Sequence, residues 1–384
     1  MSDEEILALA ARHLHEATAD KPIPDYGRWQ HWAAEMREAI KHFGSVIEVL
    51  HYAESVLPFS HRVESNGQTI ATLVAIIKND FPWFDRKIDQ INDDPSSLHV
   101  LIHKETKQHV SNMMVWHAWS MLTCQTYLGN AKNILEVGGG NGALARLWML
   151  QFPVNRYVIA DIPESLYFAE VWLRKLFGND VGYLVDDVPD TKIVLIPVDR
   201  LELYKKPSDL VLSIGSMQEM NDEWIEHYMR WLDAYDANFF YSLNYAAQPN
   251  GIMAESRCMW GPRLSPNWTT LLLTFNPAAL TLGCEHRNFL AALYQRKPAT
   301  NSLKNWSVLH GRLLTNETYI EGLDLVRQCP DEESISLFLN KVCEYYRHWN
   351  KGLIPKEVVA LARRSKSPIA KRIIEMCVST NEFV

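Results

Sequence analysis

The stretch Asn133–Leu147, NILEVGGGNGALARL, decides the fold. A short apolar run ends at Glu136, three glycines follow, and a segment with helical spacing begins after Gly142. A short apolar run bounded by glycines is typical of a buried strand, and the strand–glycine–helix order indicates a βαβ unit. The bare backbone at the turn predicts a ligand that lies close to the main chain.

The segments that follow continue this alternation of strands and helices. Strand-like runs are RYVIAD, KIVLIPV, DLVLSIG, NFFYSLNY, WTTLLLTF and HRNFLAALYQR. Two helical patterns between them have clear limits: Pro163 starts one and Gly178 follows it, and Asn221 caps the other. The pattern predicts an α/β fold, a doubly wound, Rossmann-like sheet of seven strands, with ligands at the carboxyl ends of the strands.

The periodicity divides the chain into three regions. Residues 1–128 read as helices without strand-like alternation, and we expect a substrate cap or a dimerisation region there. Residues 129–298 hold the predicted sheet, including an irregular stretch before WTTLLLTF that we expect to be a functional loop. Residues 299–384 turn helical again, as a lid or a subunit contact.

Composition narrows the class of protein. The chain has 384 residues, 47% of them hydrophobic, and a net charge of −8, which argues against a nucleic-acid binder. Six scattered cysteines without a CxxC pair indicate reduced thiols in a cytoplasmic protein. The acidic start is unlike a signal peptide, and no apolar run reaches the ~18 residues of a membrane span.

The glycine turn fits two cofactor classes. Gly138, Gly140 and Ala143 match the dinucleotide fingerprint, and Asp161, at the end of the next strand, would hold ribose hydroxyls. S-adenosylmethionine carries the same ribose but has a sulfonium and an ammonium in place of a diphosphate. Glu136 stands two residues before Gly138, where a carboxylate would repel a diphosphate and attract a cation. The sequence therefore favours S-adenosylmethionine, with S-adenosylhomocysteine as the product.

The ordered motifs resemble a known family. LEVGGGNG, ADIPESLYFAEVWLRKLFG, VLIPVDRL and LVLSIGSMQEM, with FFYSLNY downstream, are similar to class I S-adenosylmethionine-dependent O-methyltransferases. The pattern is closest to that of bacterial sugar O-methyltransferases, and the resemblance covers roughly residues 130–250. It implies that the glycines approach the methionine part of the cofactor, that Asp161 takes the ribose and that Ile162 lies against the adenine. By the same resemblance the cofactor residues also include Gly142, Asp199, Gly215 and Ser216.

The sequence contains fewer signals for the residues that bind the methyl acceptor and catalyse the transfer. In related plant enzymes a histidine base follows the fourth strand, but Gln218 stands there, so Glu219 becomes the first candidate for a catalytic base. His117, shortly before the glycine turn, and His286, in the last strand segment, are further catalytic candidates. We expect Gln218, Asn244 and Trp260 to contact the acceptor. Trp116, Trp119 and Trp268 could add ring stacking, although core packing is the better account of any single one of them.

These observations predict an enzyme that moves a methyl group to a hydroxyl of a sugar or a glycosylated small molecule. An O-methyltransferase of aromatic or polyketide hydroxyls and an NAD(P)-dependent oxidoreductase remain as alternatives. No His, Asp or Glu grouping has metal-ligand spacing, so no metal is expected. The expected partners are a small-molecule acceptor and a second copy in a homodimer, with neither nucleic acid nor a membrane.

Overall fold

A computed structural model describes most of the 384-residue chain. The described residues are 1–19, 29–56, 67–84, 101–102, 107, 109–217, 220–245, 264–265, 267–276, 289–296, 335, 338–339, 356–365, 370–371 and 374. Nine longer helices lie within these ranges: α1 (Asp3–Thr18), α2 (Trp29–Ile40), α3 (Val46–Val56), α4 (Gly67–Asp80), α5 (Asn112–Leu128), α6 (Ala143–Gln151), α7 (Pro163–Phe177), α8 (Asp222–Ala234) and α9 (Lys356–Arg364).

The strands of the described ranges form two sheets. In chain order they are β1 (Leu101–Ile102), β2 (His109–Val110), β3 (Asn133–Val137), β4 (Arg156–Asp161), β5 (Val181–Tyr183), β6 (Ile193–Pro197), β7 (Ser208–Ile214), β8 (Ala237–Tyr245), β9 (Trp268–Phe275) and β10 (Phe289–Arg296). The large sheet has the order β5-β6-β4-β3-β7-β8-β10-β9. Its first six strands are parallel, and β10 is antiparallel to both β8 and β9.

This sheet confirms the predicted doubly wound α/β fold and corrects two details. It has eight strands instead of seven, because Val181–Tyr183 pairs with β6 at the edge. A three-residue strand gives too short a pattern to recognise in sequence. The expectation of no strand before residue 129 was also wrong, since Leu101 pairs with Val110 in a two-stranded ladder.

The predicted helix limits hold where side chains satisfy the helix ends. Pro163 starts α7 and Gly178 follows its last residue, as expected. The Asn221 side chain accepts a hydrogen bond from the Trp224 amide at the start of α8. Ser111 caps α5 in the same way, since its side chain accepts a hydrogen bond from the Met114 amide.

The two faces of the large sheet bury different helices. On one face, strand residues such as Ile134 and Tyr241 share a core with Leu122 of α5, Trp148 of α6 and Leu166 of α7. Phe240, the neighbour of Tyr241, points to the other face because side chains alternate along a strand. There Trp268 contacts Phe240 and donates a hydrogen bond to Asp233 of α8. Helices therefore cover both faces.

The N-terminal helices pack on α7. Tyr52 of α3 stacks on Phe168 with ring centroids 5.7 Å apart. His13 of α1 lies 2.9 Å from Glu170, whose carboxylate also accepts a 2.7 Å hydrogen bond from Arg174. As a result every residue from Pro163 to Arg174 is buried. This helix follows Asp161 directly, so α1 to α3 support the helix that begins at the predicted ribose acid.

The chain forms two compact units. One contains Met1–Pro262 with Trp268–Pro298, and the other contains Arg263–Asn267 with Ala299–Val384. The large sheet and helices α1 to α8 belong to the first unit. The described part of the second unit includes α9, whose Val358 and Ala362 are buried, one turn apart.

Candidate functional site

The glycine turn after β3 is held against the turn after β7. Gly138 has φ +78°, and a Cβ atom at this position would lie 2.0 Å from the Ser216 hydroxyl oxygen. The same hydroxyl donates a 3.2 Å hydrogen bond to the Val137 carbonyl. Only glycine allows both this backbone conformation and this approach. Gly138 and Ser216 thus join the carboxyl ends of two neighbouring strands.

Asp161 ends β4 beside the glycine turn. One carboxylate oxygen accepts a 2.8 Å hydrogen bond from the Gly140 amide, and the other accepts a 2.7 Å bond from the Ile162 amide. Burial raises the pKa of Asp161 to about 7, although these amide bonds act to lower it. A carboxylate has about four lone-pair directions, so Asp161 keeps acceptor capacity for a ligand hydroxyl.

Most backbone amides of the glycine turn, residues 138–143, already have partners inside the protein. Four of them donate hydrogen bonds of 2.8–3.2 Å: Gly138 to the Ala160 carbonyl, Gly140 to Asp161, Gly142 to the Gly139 carbonyl, and Ala143 to the Asn141 side chain. A diphosphate bound at a helix N-terminus needs such amides as its donors. In this turn a diphosphate would have to displace internal hydrogen bonds, one of them to a carboxylate.

Glu136 lies under the turn and is 3% exposed. Its carboxylate accepts a 2.8 Å hydrogen bond from the Tyr157 hydroxyl of the neighbouring strand. Burial raises the pKa of Glu136 to about 7, the Tyr157 bond lowers it, and the nearby Asp161 raises it further. Two carboxyl groups with raised pKa values therefore stand beside the turn, a combination that favours a cationic ligand over an anionic one.

The remaining predicted cofactor residues line the same edge of the sheet. Gly142 caps α6 with φ +80°, and a Cβ atom there would lie 2.7 Å from Leu173 of α7. Ile162 is 8% exposed at the start of α7, and Gly215 follows β7 with its amide bonded to the Leu243 carbonyl. Asp199 is exposed in the turn that follows β6. The strand ends thus bring together the predicted cofactor residues, which lie far apart in sequence.

His117 lies on α5, on the side of the core that contains Tyr241. Only residues 129–132 join α5 to β3, so α5 runs back along the sheet and its first turns lie toward the carboxyl ends of the strands. One turn after His117, Ser120 accepts a 3.2 Å hydrogen bond from Tyr241 of β8. The buried Nδ1 of His117 has no hydrogen-bond partner among the described residues. Burial lowers the pKa of His117 to about 4, so its ring is neutral at pH 7.

Asn244 lies at the carboxyl end of β8. Its amide nitrogen donates to the Ser242 hydroxyl at 2.8 Å and to the Ser213 carbonyl at 3.3 Å. Four other predicted residues lie outside the described residues: Gln218, Glu219, Trp260 and His286. Three of the tryptophans considered for ring stacking are buried, at 3%, 5% and 4% exposure: Trp116, Trp119 and Trp268.

Two groups of buried polar contacts were missed by the sequence analysis. Arg37 of α2 pairs with Glu164, which is fully buried three residues after Asp161. Tyr157 binds Glu136 from the start of the next strand. No short-range pattern indicates either contact, because the first spans 127 residues and the second depends on strand register. The glutamate in ADIPES and the tyrosine in RYVIAD, both at positions expected to be buried, were the available signals.

Two features are absent from the described residues, a metal-binding group of side chains and a membrane-spanning helix. Across the part of the chain that is described, no three His, Cys, Asp or Glu side chains gather into a group able to bind a metal ion. None of the helices in that part has the length and apolar character needed to cross a membrane.

Comparisons with known proteins give similarity to solved structures only. No family model and no curated protein matches the chain. Haemonchus contortus phosphoethanolamine N-methyltransferase 1, in complex with phosphoethanolamine and S-adenosylhomocysteine, is 14% identical with a TM-score of 0.37, over 67% of this chain and 57% of that one. M. capricolum TrmK, in complex with S-adenosylhomocysteine, is 12% identical with a TM-score of 0.32, over 64% and 90%.

Proposed function

We propose that this protein is an S-adenosylmethionine-dependent O-methyltransferase that acts on a hydroxyl of a sugar or a glycosylated small molecule. The observation that carries the choice of cofactor is the glycine turn. Four of its amides are bonded inside the protein, and two carboxyl groups, the buried Glu136 and the half-buried Asp161, stand beside it. A dinucleotide would bring a diphosphate to this place, whereas S-adenosylmethionine brings positive charge and no phosphate.

The residues present fit this cofactor. Asp161 would accept a hydrogen bond from a ribose hydroxyl through the lone pairs that Gly140 and Ile162 leave free. Ile162 would offer an apolar surface to the adenine, and Asp199, in the turn after the neighbouring strand β6, would meet the same ring. Glu136 and Asp161 both ionise more readily beside a cation, which lowers their pKa values from about 7.

When bound, S-adenosylmethionine supplies an activated methyl group. The protein must then place an acceptor oxygen in line with it and take up the hydroxyl proton. The neutral His117 can accept a hydrogen bond from that hydroxyl at Nδ1 and orient it. We assign the hydroxyl proton to Glu219, because it stands beside Gln218 after β7, where the plant enzymes that the sequence resembles carry their base.

A transfer screen tests the proposed reaction. The full chain is mixed with S-adenosylmethionine and a panel of methyl glycosides, sugar nucleotides and phenols, and the products are read by a mass increase of one methyl group. We expect methylation among the sugar hydroxyls. Methylation confined to the phenols would contradict the acceptor class and leave the cofactor assignment intact.

The role of Glu219 is tested by Glu219→Gln. We expect slow turnover with unchanged S-adenosylhomocysteine affinity, because the amide cannot take up a proton. Glu223→Gln, an exposed acid in the first turn of α8, is the control and should turn over normally. Normal turnover in both variants would show that the base lies elsewhere.

A further inference from the structure

Two central strands carry polar side chains where a parallel sheet is ordinarily apolar. Ser213 of β7 pairs in register with Ser242 of β8, and Asn244 follows on the same face. Strands covered on both faces usually read as continuous apolar runs. The polar positions occur at the carboxyl ends of the two strands, and Asn244 lies one residue beyond the last β7–β8 pair, Ile214 with Leu243.

Two polar atoms of this group remain unpaired. The Ser213 hydroxyl is buried in a residue that is 0% exposed, and it has no partner among the described residues. The Asn244 Oδ1 atom is likewise buried and without a partner in the described part of the chain. Buried groups of this kind are costly unless something else satisfies them.

The orientation of the Asn244 amide is fixed by its neighbours. The Ser213 carbonyl can only accept a hydrogen bond, so the amide nitrogen of Asn244 must face it. The nitrogen also donates to Ser242 at 2.8 Å. Oδ1 is therefore presented as an acceptor, and the Ser213 hydroxyl can either donate or accept. This pair suits a hydroxyl group, which also does both.

We propose that Ser213 and Asn244 bind a hydroxyl of the acceptor other than the one that is methylated. The inference rests on the proposed function, and it deepens that function by requiring an acceptor with at least two hydroxyls, as in a sugar ring. The two side chains lie at the β7–β8 end of the edge that also carries Asp161 of β4. The acceptor ring would thus be held at the β7–β8 end of this edge, and the cofactor ribose would be held beside β4.

The test compares Ser213→Ala and Asn244→Ala with the wild type in the full chain. Saturation-transfer NMR titrations use methyl α-D-glucopyranoside and methyl α-L-rhamnopyranoside on protein loaded with S-adenosylhomocysteine. Ser208→Ala is the matched control, because Ser208 is a buried serine at the opposite end of β7, bonded to Tyr235. We expect glycoside binding about five- to tenfold weaker in Ser213→Ala, weaker still in Asn244→Ala and unchanged in Ser208→Ala.

Thermal unfolding separates a binding role from a structural one. Ser213→Ala removes a hydroxyl that has no partner among the described residues, so the melting temperature of the variant should equal or exceed that of the wild type while glycoside affinity falls. If a buried water instead satisfies Ser213 and Asn244, Ser213→Ala lowers the melting temperature and leaves glycoside binding unchanged, which overturns the inference. This variant keeps the test valid even if Asn244→Ala does not fold.

Failure of the inference is distinguishable from failure of the proposed function. Normal S-adenosylhomocysteine binding with no glycoside binding in the wild type would overturn the hydroxyl subsite alone. Absent S-adenosylhomocysteine binding would contradict the proposed function. The same glycoside titration without S-adenosylhomocysteine would then decide the subsite by its dependence on Ser213.

Discussion

At the scale of single residues, Asp161 is the side chain that would connect the glycine turn to the proposed cofactor. Its carboxylate accepts the Gly140 and Ile162 amides and keeps a lone pair for a ribose hydroxyl. Asp161→Ala should remove a charge-assisted hydrogen bond of roughly 1.5–3 kcal/mol and weaken S-adenosylhomocysteine binding about ten- to a hundredfold. Calorimetric titration measures the change. Asp190→Asn, at an almost fully exposed acid, is the control, and equal affinities in all three proteins would refute the ribose role.

Glu136 makes stability depend on pH. Its pKa is raised from 4.5 to about 7 in the folded chain, so folding binds protons and stability falls as pH rises through this range. The full effect is on the order of 3 kcal/mol above pH 7. Glu136→Gln keeps an acceptor for the Tyr157 hydroxyl but cannot ionise. The melting temperature of this variant minus that of the wild type should therefore be larger at pH 8 than at pH 5.

Tyr157→Phe gives the opposite test of the same contact. Removing the hydroxyl takes away the one hydrogen bond that lowers the pKa of Glu136, so the fall in stability with pH should become larger. Thermal melts of the three proteins at pH 5 and pH 8 measure both effects. If the melting temperatures of the three proteins differ by the same amounts at pH 5 and at pH 8, the buried ionisation is contradicted.

At the scale of elements, the close contact between the turns after β3 and β7 depends on the absence of a side chain at Gly138. Gly138→Ala places a Cβ atom 2.0 Å from the Ser216 oxygen in a backbone conformation with φ +78°. We expect a loss of about 2–4 kcal/mol in the free energy of unfolding, from overlap and from backbone strain together. Adding Ser216→Gly should restore the part due to overlap. Denaturant unfolding measures both, and a neutral Gly138→Ala would contradict the close approach.

The elements around this junction were predictable to different degrees. The strand ending at Glu136, the turn and α6 follow from one local pattern, and so do the limits of α7 at Pro163 and Gly178. The short strand β5 was not predictable, because its pairing with β6 depends on the sheet already formed. Tyr157 binds Glu136 only because β3 and β4 pair in one particular register.

At the scale of the whole molecule, the N-terminal helices complete the layer that supports the site. Removing residues 1–128 would uncover α7 and leave Glu164 without Arg37 and Glu170 without His13. A buried carboxylate that loses its partner costs about 3–5 kcal/mol, and the exposed apolar area adds to this. We therefore expect residues 129–384 alone to show no cooperative thermal unfolding. If residues 129–384 alone unfold cooperatively at the melting temperature of the full chain, the N-terminal helices do not stabilise α7 in this way.

This dependence lay beyond the reach of the sequence analysis. The amphipathic patterns of residues 1–128 predicted helices, but not the surface they cover. Arg37 reaches Glu164 across 127 residues, and a separation of this length carries no local signal. The serines of LVLSIG and YSLNY share the difficulty, because they become a cluster only when β7 and β8 lie side by side.

The central claim is that the glycine turn binds a cation-bearing nucleoside without phosphate. Calorimetry of the full chain at pH 8, where Asp161 is ionised, tests it most directly by titrating S-adenosylhomocysteine and NADH in parallel. We predict micromolar binding of S-adenosylhomocysteine, about −8 kcal/mol, and no binding of NADH. Binding of NADH without S-adenosylhomocysteine would contradict the account.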